Sequence, residues 1–535
     1  MPLNSFSVWS RPSPRLCGVV VAFVFLFGFA PIHAQAQCSP VTTVSFPVDI
    51  STFQLVQGFG VPSTRYQGRY HTGEDYYGGR GSSYGTPVHA IANGLVTYSA
   101  PNGWGRDGGV VIIQHSMPDG STAYSMYGHM FNSDAYPFPQ RFQCVQAGDV
   151  VGVVGDARPA PHLHLEIRTN SPDIPGPGYS LQPPTELGWL QPSKFILNWQ
   201  AWLRPEHRWH LQLPDDTRPL SPPLLLDDGS LIILSAERVR FASNDGRVLS
   251  RIVLNRPAVA LTRLVGQPLL TYADGTMQIV NFDSTLGESW SVGTALEGPA
   301  IEAGDLLLFH TPDNALVALG ADRRSLAWRL DNIPPVLRAQ AAPNVIGLIT
   351  ESNSLLSVST QGQLIDTAQL GEVTSMAASF NGNLLIYAQD GYSEVDGTGT
   401  WSRRLEGLPG GGEESALYYT RGDSPYYFWS GGTARTLYAR DAQGNTYWQT
   451  ALPDVTGRAR ISLYDFDTLL LLTNDGYIAV VQQSTGLVCN QMRMYGDWRS
   501  HVWDELGMGN ILRVGIADQI IGLDFKTLQG ACANH

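Results

Sequence analysis

Pro161-His162-Leu163-His164-Leu165-Glu166-Ile167-Arg168 sets the reading of the N-terminal part of the chain. Leu163, Leu165 and Ile167 alternate with His162, His164, Glu166 and Arg168, the period-two pattern of a β-strand. Residues two apart in a strand share a face and lie about 6–7 Å apart along the chain. His162 and His164 therefore stand side by side on one face, while the leucines turn to the core. One imidazole can ligate a metal while its neighbour stays free for proton transfer. Glu166, on the same side, is either a carboxylate that orients a ligating histidine or a solvated charge at the strand end.

Upstream, His71-Thr72-Gly73-Glu74-Asp75 offers a second imidazole and a carboxylate, both good Zn²⁺ ligands. Gly73 lets the backbone bend so that the two converge. His71, Asp75 and one histidine of the downstream pair make three protein ligands, leaving a fourth position for water, as in catalytic rather than structural zinc sites.

With these motifs in place, residues 55 to 197 resemble the lysostaphin-type (LytM-like) zinc endopeptidases that cut peptide cross-links of bacterial cell walls. The matching segments run in order. After His71–Asp75 come Pro87-Val88-His89-Ala90, Gly94-Leu95-Val96, Gly109-Val110-Val111-Ile112-Ile113-Gln114-His115 and Tyr127-Gly128-His129. Val145-Gln146-Ala147-Gly148-Asp149-Val150-Val151-Gly152 and His162-Leu163-His164-Leu165-Glu166 complete the set. The resemblance implies zinc ligands His71, Asp75 and His164, with His129 and His162 as the two non-ligand histidines that act on water and transition state. His89 and His115 match positions that are structural. Two departures stand out: a short, glycine-poor turn at Gly155–Pro161, and Gly128 where the family often has alanine.

The 535 residues suggest two or three domains. A hydrophobic content of 43%, a charged content of 15% and 56 glycines fit an ordered, β-rich protein with closely spaced turns. Residues 1–36 read as a signal peptide: Arg11 and Arg15, an apolar run from Leu16 to Ala30, and Ala34-Gln35-Ala36 as cleavage site. No other stretch is apolar enough to span a bilayer. The expectation is an exported chain, periplasmic or extracellular, with no membrane span after cleavage. In an oxidising compartment the remaining cysteines suggest bridges Cys38–Cys144 and Cys489–Cys532. Loss of Arg11 and Arg15 takes the formal charge from −13 to −15, and no basic cluster exists, which argues against nucleic acid or anionic lipid as partner.

Residues 37–200 form the expected peptidase domain, with 37–70 as its N-terminal extension and a short helix around Ser193–Trp202 at its end. A linker follows over 201–222. The rest, 223–535, shows an internal repeat of about 40 residues. Apolar strands alternate with turns at Asp228-Gly229, Asp274-Gly275, Asp313-Asn314, Asn353-Ser354, Asp390-Gly391, Gly431-Gly432, Asp475-Gly476 and Ala517-Asp518. Several repeats end in tryptophan: Trp290, Trp328, Trp401 and Trp448. Three or four short strands at this period are the signature of a β-propeller blade. The pattern resembles quinoprotein-type (PQQ-like) repeats, in fold rather than in cofactor. Eight blades fit best, with seven as the rival count, and the Cys489–Cys532 bridge joins the last two repeats.

The expected protein is thus all-β: a small antiparallel metallopeptidase domain followed by a propeller. It would be a secreted zinc metalloendopeptidase acting on peptidoglycan peptides, its propeller a recognition or tethering platform that could take a protein partner. The alternatives are a non-catalytic wall-binding protein or activator of other wall hydrolases, and a propeller-led adaptor.

Overall fold

In the computed structural model the described residues are 38–532, except 214–220, 236, 379–381, 389–390, 407–414, 420–425, 431–433, 441–444, 465–466, 497–501 and 531. The expected signal peptide and the Gly431-Gly432 turn lie outside them. Strands dominate throughout, and among the described residues no helix is long and apolar enough to cross a membrane.

The N-terminal domain is built on one antiparallel sheet. At its centre the strand Leu163–Arg168 runs between Glu74–Tyr77 on one side and Thr122–Phe131 on the other. Gly109–Ser116 and Gly94–Ala100 extend the sheet beyond Thr122–Phe131. The register sets His164 opposite Asp75 on one neighbour and opposite Gly128 on the other. Leu163, Leu165 and Ile167 reach the core as the alternation requires. Val41, Val44, Val48 and Phe53 of the N-terminal extension join that core, and Cys38 is disulfide-bonded to Cys144. The polar face of the strand is also covered, so all six residues of Leu163–Arg168 are buried.

The C-terminal part forms eight four-stranded antiparallel sheets among the described residues. The first strand of one sheet packs against the first strand of the next, as in Ala258–Leu264 on Glu297–Ala303 and Val336–Ala341 on Val373–Ala378. These sheets are blades around an axis, and the favoured count of eight holds. The tryptophans have a physical task. Each lies on the outermost strand of its blade, and Trp290, Trp328 and Trp448 donate their indole N–H to carbonyls of the following blade, at Arg323, Thr360 and Gln483 (2.8, 3.0 and 2.8 Å). Among the described residues, Trp401 has no such partner for its buried indole nitrogen.

The turn motifs do not all close the same hairpin, and the linker reading needs correction. Among the fully described turn motifs, Asp274-Gly275, Asp313-Asn314, Asn353-Ser354, Asp475-Gly476 and Ala517-Asp518 fall between the second and third strands of a blade, but Asp228-Gly229 falls between the first and second. Asp-Gly suits any tight hairpin, so turn chemistry alone cannot say which hairpin it closes. The stretch expected as a linker, 201–222, also contains structure: the helix runs Pro192–Trp202, and His207–Gln212 is a strand. That strand pairs antiparallel with Gln519–Asp524 and becomes the fourth strand of the last blade. The ring is therefore closed by hydrogen bonds between its N-terminal and C-terminal strands, which removes the open edges of a curved sheet. Trp209 and Leu211 alternate inward along it, a signal visible in the sequence. Cys489, on the outer strand of the seventh blade, is bonded to Cys532 in the C-terminal segment that follows the eighth.

Candidate metal centre and catalytic cleft

Among the described residues, His71, Asp75 and His164 are brought together as a group able to hold a metal ion, and all three are buried. Nε2 of His71 lies 3.1 Å from Nδ1 of His164, which lies 2.8 Å from Oδ1 of Asp75. The Asp75 oxygen is 3.3 Å from His71 Nε2. Gly73 makes this convergence possible by what it lacks: a Cβ there would sit 2.3 Å from the Leu165 carbonyl oxygen and 2.8 Å from His164 Nε2.

The far nitrogen of each ring fixes its tautomer. His71 Nδ1 is 3.1 Å from the Gly58 carbonyl, and His164 Nε2 is 3.0 Å from Oε1 of Glu166. A carbonyl or carboxylate only accepts, so these nitrogens carry the hydrogens and leave the His71 Nε2 and His164 Nδ1 lone pairs facing each other. Glu166 is thus the orienting partner, not a solvated charge. It is fully buried and also accepts from Thr72 Oγ1 (2.6 Å), Arg168 Nε (2.6 Å) and Trp189 Nε1 (2.7 Å).

The electrostatics favour positive charge here. With protons on the facing nitrogens of His164 and His71, burial opposes ionisation of Asp75, but the hydrogen bonds and charge of the two rings outweigh it and hold the carboxyl far below its ordinary range. Burial likewise opposes charge on His164, yet Asp75 and Glu166 push it up to about 9. Glu166 is raised by burial but held at about 2, chiefly by the Arg168 charge and the His164 hydrogen bond. A pocket that pulls a proton onto His164 Nδ1 is one that a cation can occupy in the proton's place.

His129 and His162 stand beside this group, their rings 4.6 Å apart. His162 Nε2 is 3.5 Å from Oδ2 of Asp75. Both are held in the same way as the first pair: His162 Nδ1 donates to the Ala160 carbonyl and His129 Nδ1 to the Asp107 carbonyl, each at 2.7 Å. Their Nε2 atoms are left as acceptors. Burial and the neighbouring His162 push His129 down to about 4, so its ring is neutral at pH 7. His129 adopts φ 58° where the register slips between Tyr127 and Met130, a bulge that re-aims its side chain out of the regular alternation.

Other residues complete the site that the sequence reading did not single out. Trp104 packs edge-on against His129 (4.9 Å) and His164 (5.2 Å), its indole N–H donating to the Gly176 carbonyl. Gly128 now has a reason: a Cβ there would lie 2.3 Å from the Trp104 ring, so alanine would expel it. Tyr179, in register with His71, stacks on Tyr66 and flanks the His71 ring. His115 and His89 are structural, as expected: His115 is buried between the Asn93 carbonyl and Ser125 Oγ, and His89 bonds the Gly148 carbonyl.

Residues 69–175 match the model of peptidase family M23, so the chain carries a domain of that metallopeptidase family. Among solved structures, BamB from Moraxella catarrhalis is similar at 12% identity and a TM-score of 0.41, over 59% of this chain and 98% of that one. The computationally designed protein Ika8 is similar at 14% identity and a TM-score of 0.47, over 59% of this chain and 99% of its own. No curated protein matches the chain.

Proposed function

We propose that the chain is an exported zinc metalloendopeptidase, periplasmic or extracellular, that hydrolyses peptide bonds of peptidoglycan in a cross-link or stem peptide. The observation that carries this reading is the locking of four histidines in pairs. Two present lone pairs to one point beside Asp75, and two present lone pairs to the space next to it. His71 Nε2, His164 Nδ1 and Asp75 would hold the metal. Two imidazoles and one carboxylate would suit zinc. When bound, zinc contributes Lewis acidity toward a peptide carbonyl and a water molecule.

The rest is supplied by the chain. One of His129 and His162 takes, at its Nε2, one proton from the attacking water, and one of the two delivers a proton to the leaving amine. Their Nδ1 hydrogens, given to backbone carbonyls, keep the two Nε2 atoms aimed at the reacting bond. Trp104 keeps bulk water from the His129 and His164 edges. The M23 domain supports a peptide of the cell wall as substrate, and the two disulfides support an oxidising, extracytoplasmic location. The propeller is read as a recognition or tethering platform.

The test uses the mature chain, residues 37–535, with zinc content and mass-resolved digestion of purified peptidoglycan. About one zinc per chain and cleaved peptides are expected. His164→Ala should lose both; His162→Ala should keep zinc while turnover falls roughly 10²–10⁴-fold. If His164→Ala digests as well as the parent, the enzyme reading fails. Zinc and wall binding without cleavage would point to a binding or activating role.

A further inference from the structure

Glu74 and Asp75 are consecutive residues of one strand, so their side chains leave it on opposite faces. Asp75 turns to His71 and His164. Glu74 turns the other way and is fully buried, a costly place for a carboxylate unless it is held by several donors. It is so held. Its oxygens accept from Ser193 N (2.9 Å), Ser193 Oγ (2.7 Å), Tyr76 Oη (2.7 Å) and Gln191 Nε2 (3.2 Å). Three of these four donors belong to the N-cap residue Gln191 and to Ser193 in the first turn of the helix Pro192–Trp202, whose positive end favours an anion at this point.

The same helix is held from its other side by the propeller. Lys194 Nζ lies 2.6 Å from Oδ2 of Asp518, a pair that is largely buried. Asn198 Oδ1 accepts from the Tyr495 backbone N–H (3.1 Å) and from Gln519 Nε2 (3.0 Å), and Gln191 Nε2 also reaches Tyr495 Oη at 3.2 Å. Packing repeats the division: Ile196 and Trp199 belong to the peptidase core, Ala201 to the core of the last two blades, and Trp202 packs against both. Asp518 and Gln519 lie at the hairpin between the second and third strands of the eighth blade.

We propose that Glu74 is a positioning residue for Asp75, and that the propeller acts on the metal site through it. Tyr495, Asp518 and Gln519 seat the helix, the helix's first turn fixes Glu74, and Glu74 sets the strand from which Asp75 reaches His164. This rests on the reading of His71, Asp75 and His164 as metal ligands. Leu165 is in register with Glu74 as His164 is with Asp75, so a shift of Glu74 also disturbs the pairing that aligns the two ligands. The peptidase domain and the propeller are on this account one working unit rather than two joined modules.

The experiment measures zinc affinity, by competition with a chelator, and the visible absorption of the Co(II)-substituted mature chain. Glu74→Gln keeps the shape but sets an amide where only acceptors fit; Asp518→Asn lies in the propeller and touches no ligand. Zinc affinity should fall about 10–100-fold for Glu74→Gln and about tenfold for Asp518→Asn, with an altered cobalt spectrum in both. The exchanged pair Lys194→Asp with Asp518→Lys should return toward the parent, which a general loss of stability would not do. If both single variants are folded, by circular dichroism and melting, and match the parent in affinity and spectrum, the proposal is overturned. Weakening in Glu74→Gln alone overturns the propeller's part in it. A parent that binds zinc but leaves peptidoglycan intact refutes the proposed reaction and leaves this comparison readable; a parent that binds no zinc overturns both.

Discussion

Replacing Glu166 by Gln probes the centre of the site without changing its size. Glu166 is fully buried and accepts from four side chains, of which Arg168 is charged and itself fully buried. Losing the carboxylate charge leaves the Arg168 guanidinium with neutral partners, the carbonyls of Ile174 and Pro175. Breaking a buried ion pair costs about 3–5 kcal/mol, and the two remaining carbonyls place this case near the lower end, about 3 kcal/mol. A second effect is separable. His164 Nε2–H loses the charged acceptor that fixes its tautomer, which should weaken zinc binding roughly 10–100-fold. Denaturant unfolding of the metal-free protein reads the first quantity, and zinc competition reads the second. Adding Arg168→Met removes the orphaned charge, so the double variant should recover much of the stability and none of the zinc affinity. Should Glu166→Gln unfold within about 1 kcal/mol of the parent and bind zinc as tightly, the account of this carboxylate is wrong.

Three further expectations follow from the same geometry. Gly73→Ala should cost about 1–3 kcal/mol and abolish tight zinc binding, since the new methyl meets the Leu165 carbonyl and the His164 ring; an affinity unchanged on titration would count against it. His115 is neutral when folded, because burial outweighs the Asn93 hydrogen bond and lowers it from 6.5 to about 4. The unfolded chain binds its proton first on acidification, so this contribution is complete above pH 6.5 and is lost as pH falls to 4, about 3 kcal/mol in all. A His115→Gln variant should show a flatter stability curve between those pH values, and an identical slope would refute the assignment. Removing the Cys489–Cys532 bridge, which spans 43 residues, should lower stability by up to about 4 kcal/mol and loosen the C-terminal segment first, as hydrogen exchange over Gln519–Gln529 would report.

Much was legible in the chain itself because local rules carried it. Period-two alternation around His162–Arg168 and a repeat of about 40 residues are backbone periodicities, and neither depends on distant partners. The pairing of Cys38 with Cys144 and of Cys489 with Cys532 followed from one pair in each domain. The family resemblance named His71, Asp75, His164, His129 and His162, and the fold brings these five together.

Other features depend on residues far apart in sequence. Whether Glu166 faced solvent or a ligand turned on Thr72, Arg168 and Trp189 converging on it. Trp104 gave no local sign of its place, because its neighbours His129, His164 and Gly128 lie on two other strands. The strand His207–Gln212 carried the alternation of Trp209 and Leu211, but its status as blade rather than linker is conferred by Gln519–Asp524, some three hundred residues on. Glu74 is the sharpest case. The sequence fixes that it sits beside Asp75, and only tertiary packing gives it a helix end to hold and a propeller behind that helix. Periodicity and motif are properties of neighbouring residues, whereas the partners of a buried charge exist only once the chain has closed around it.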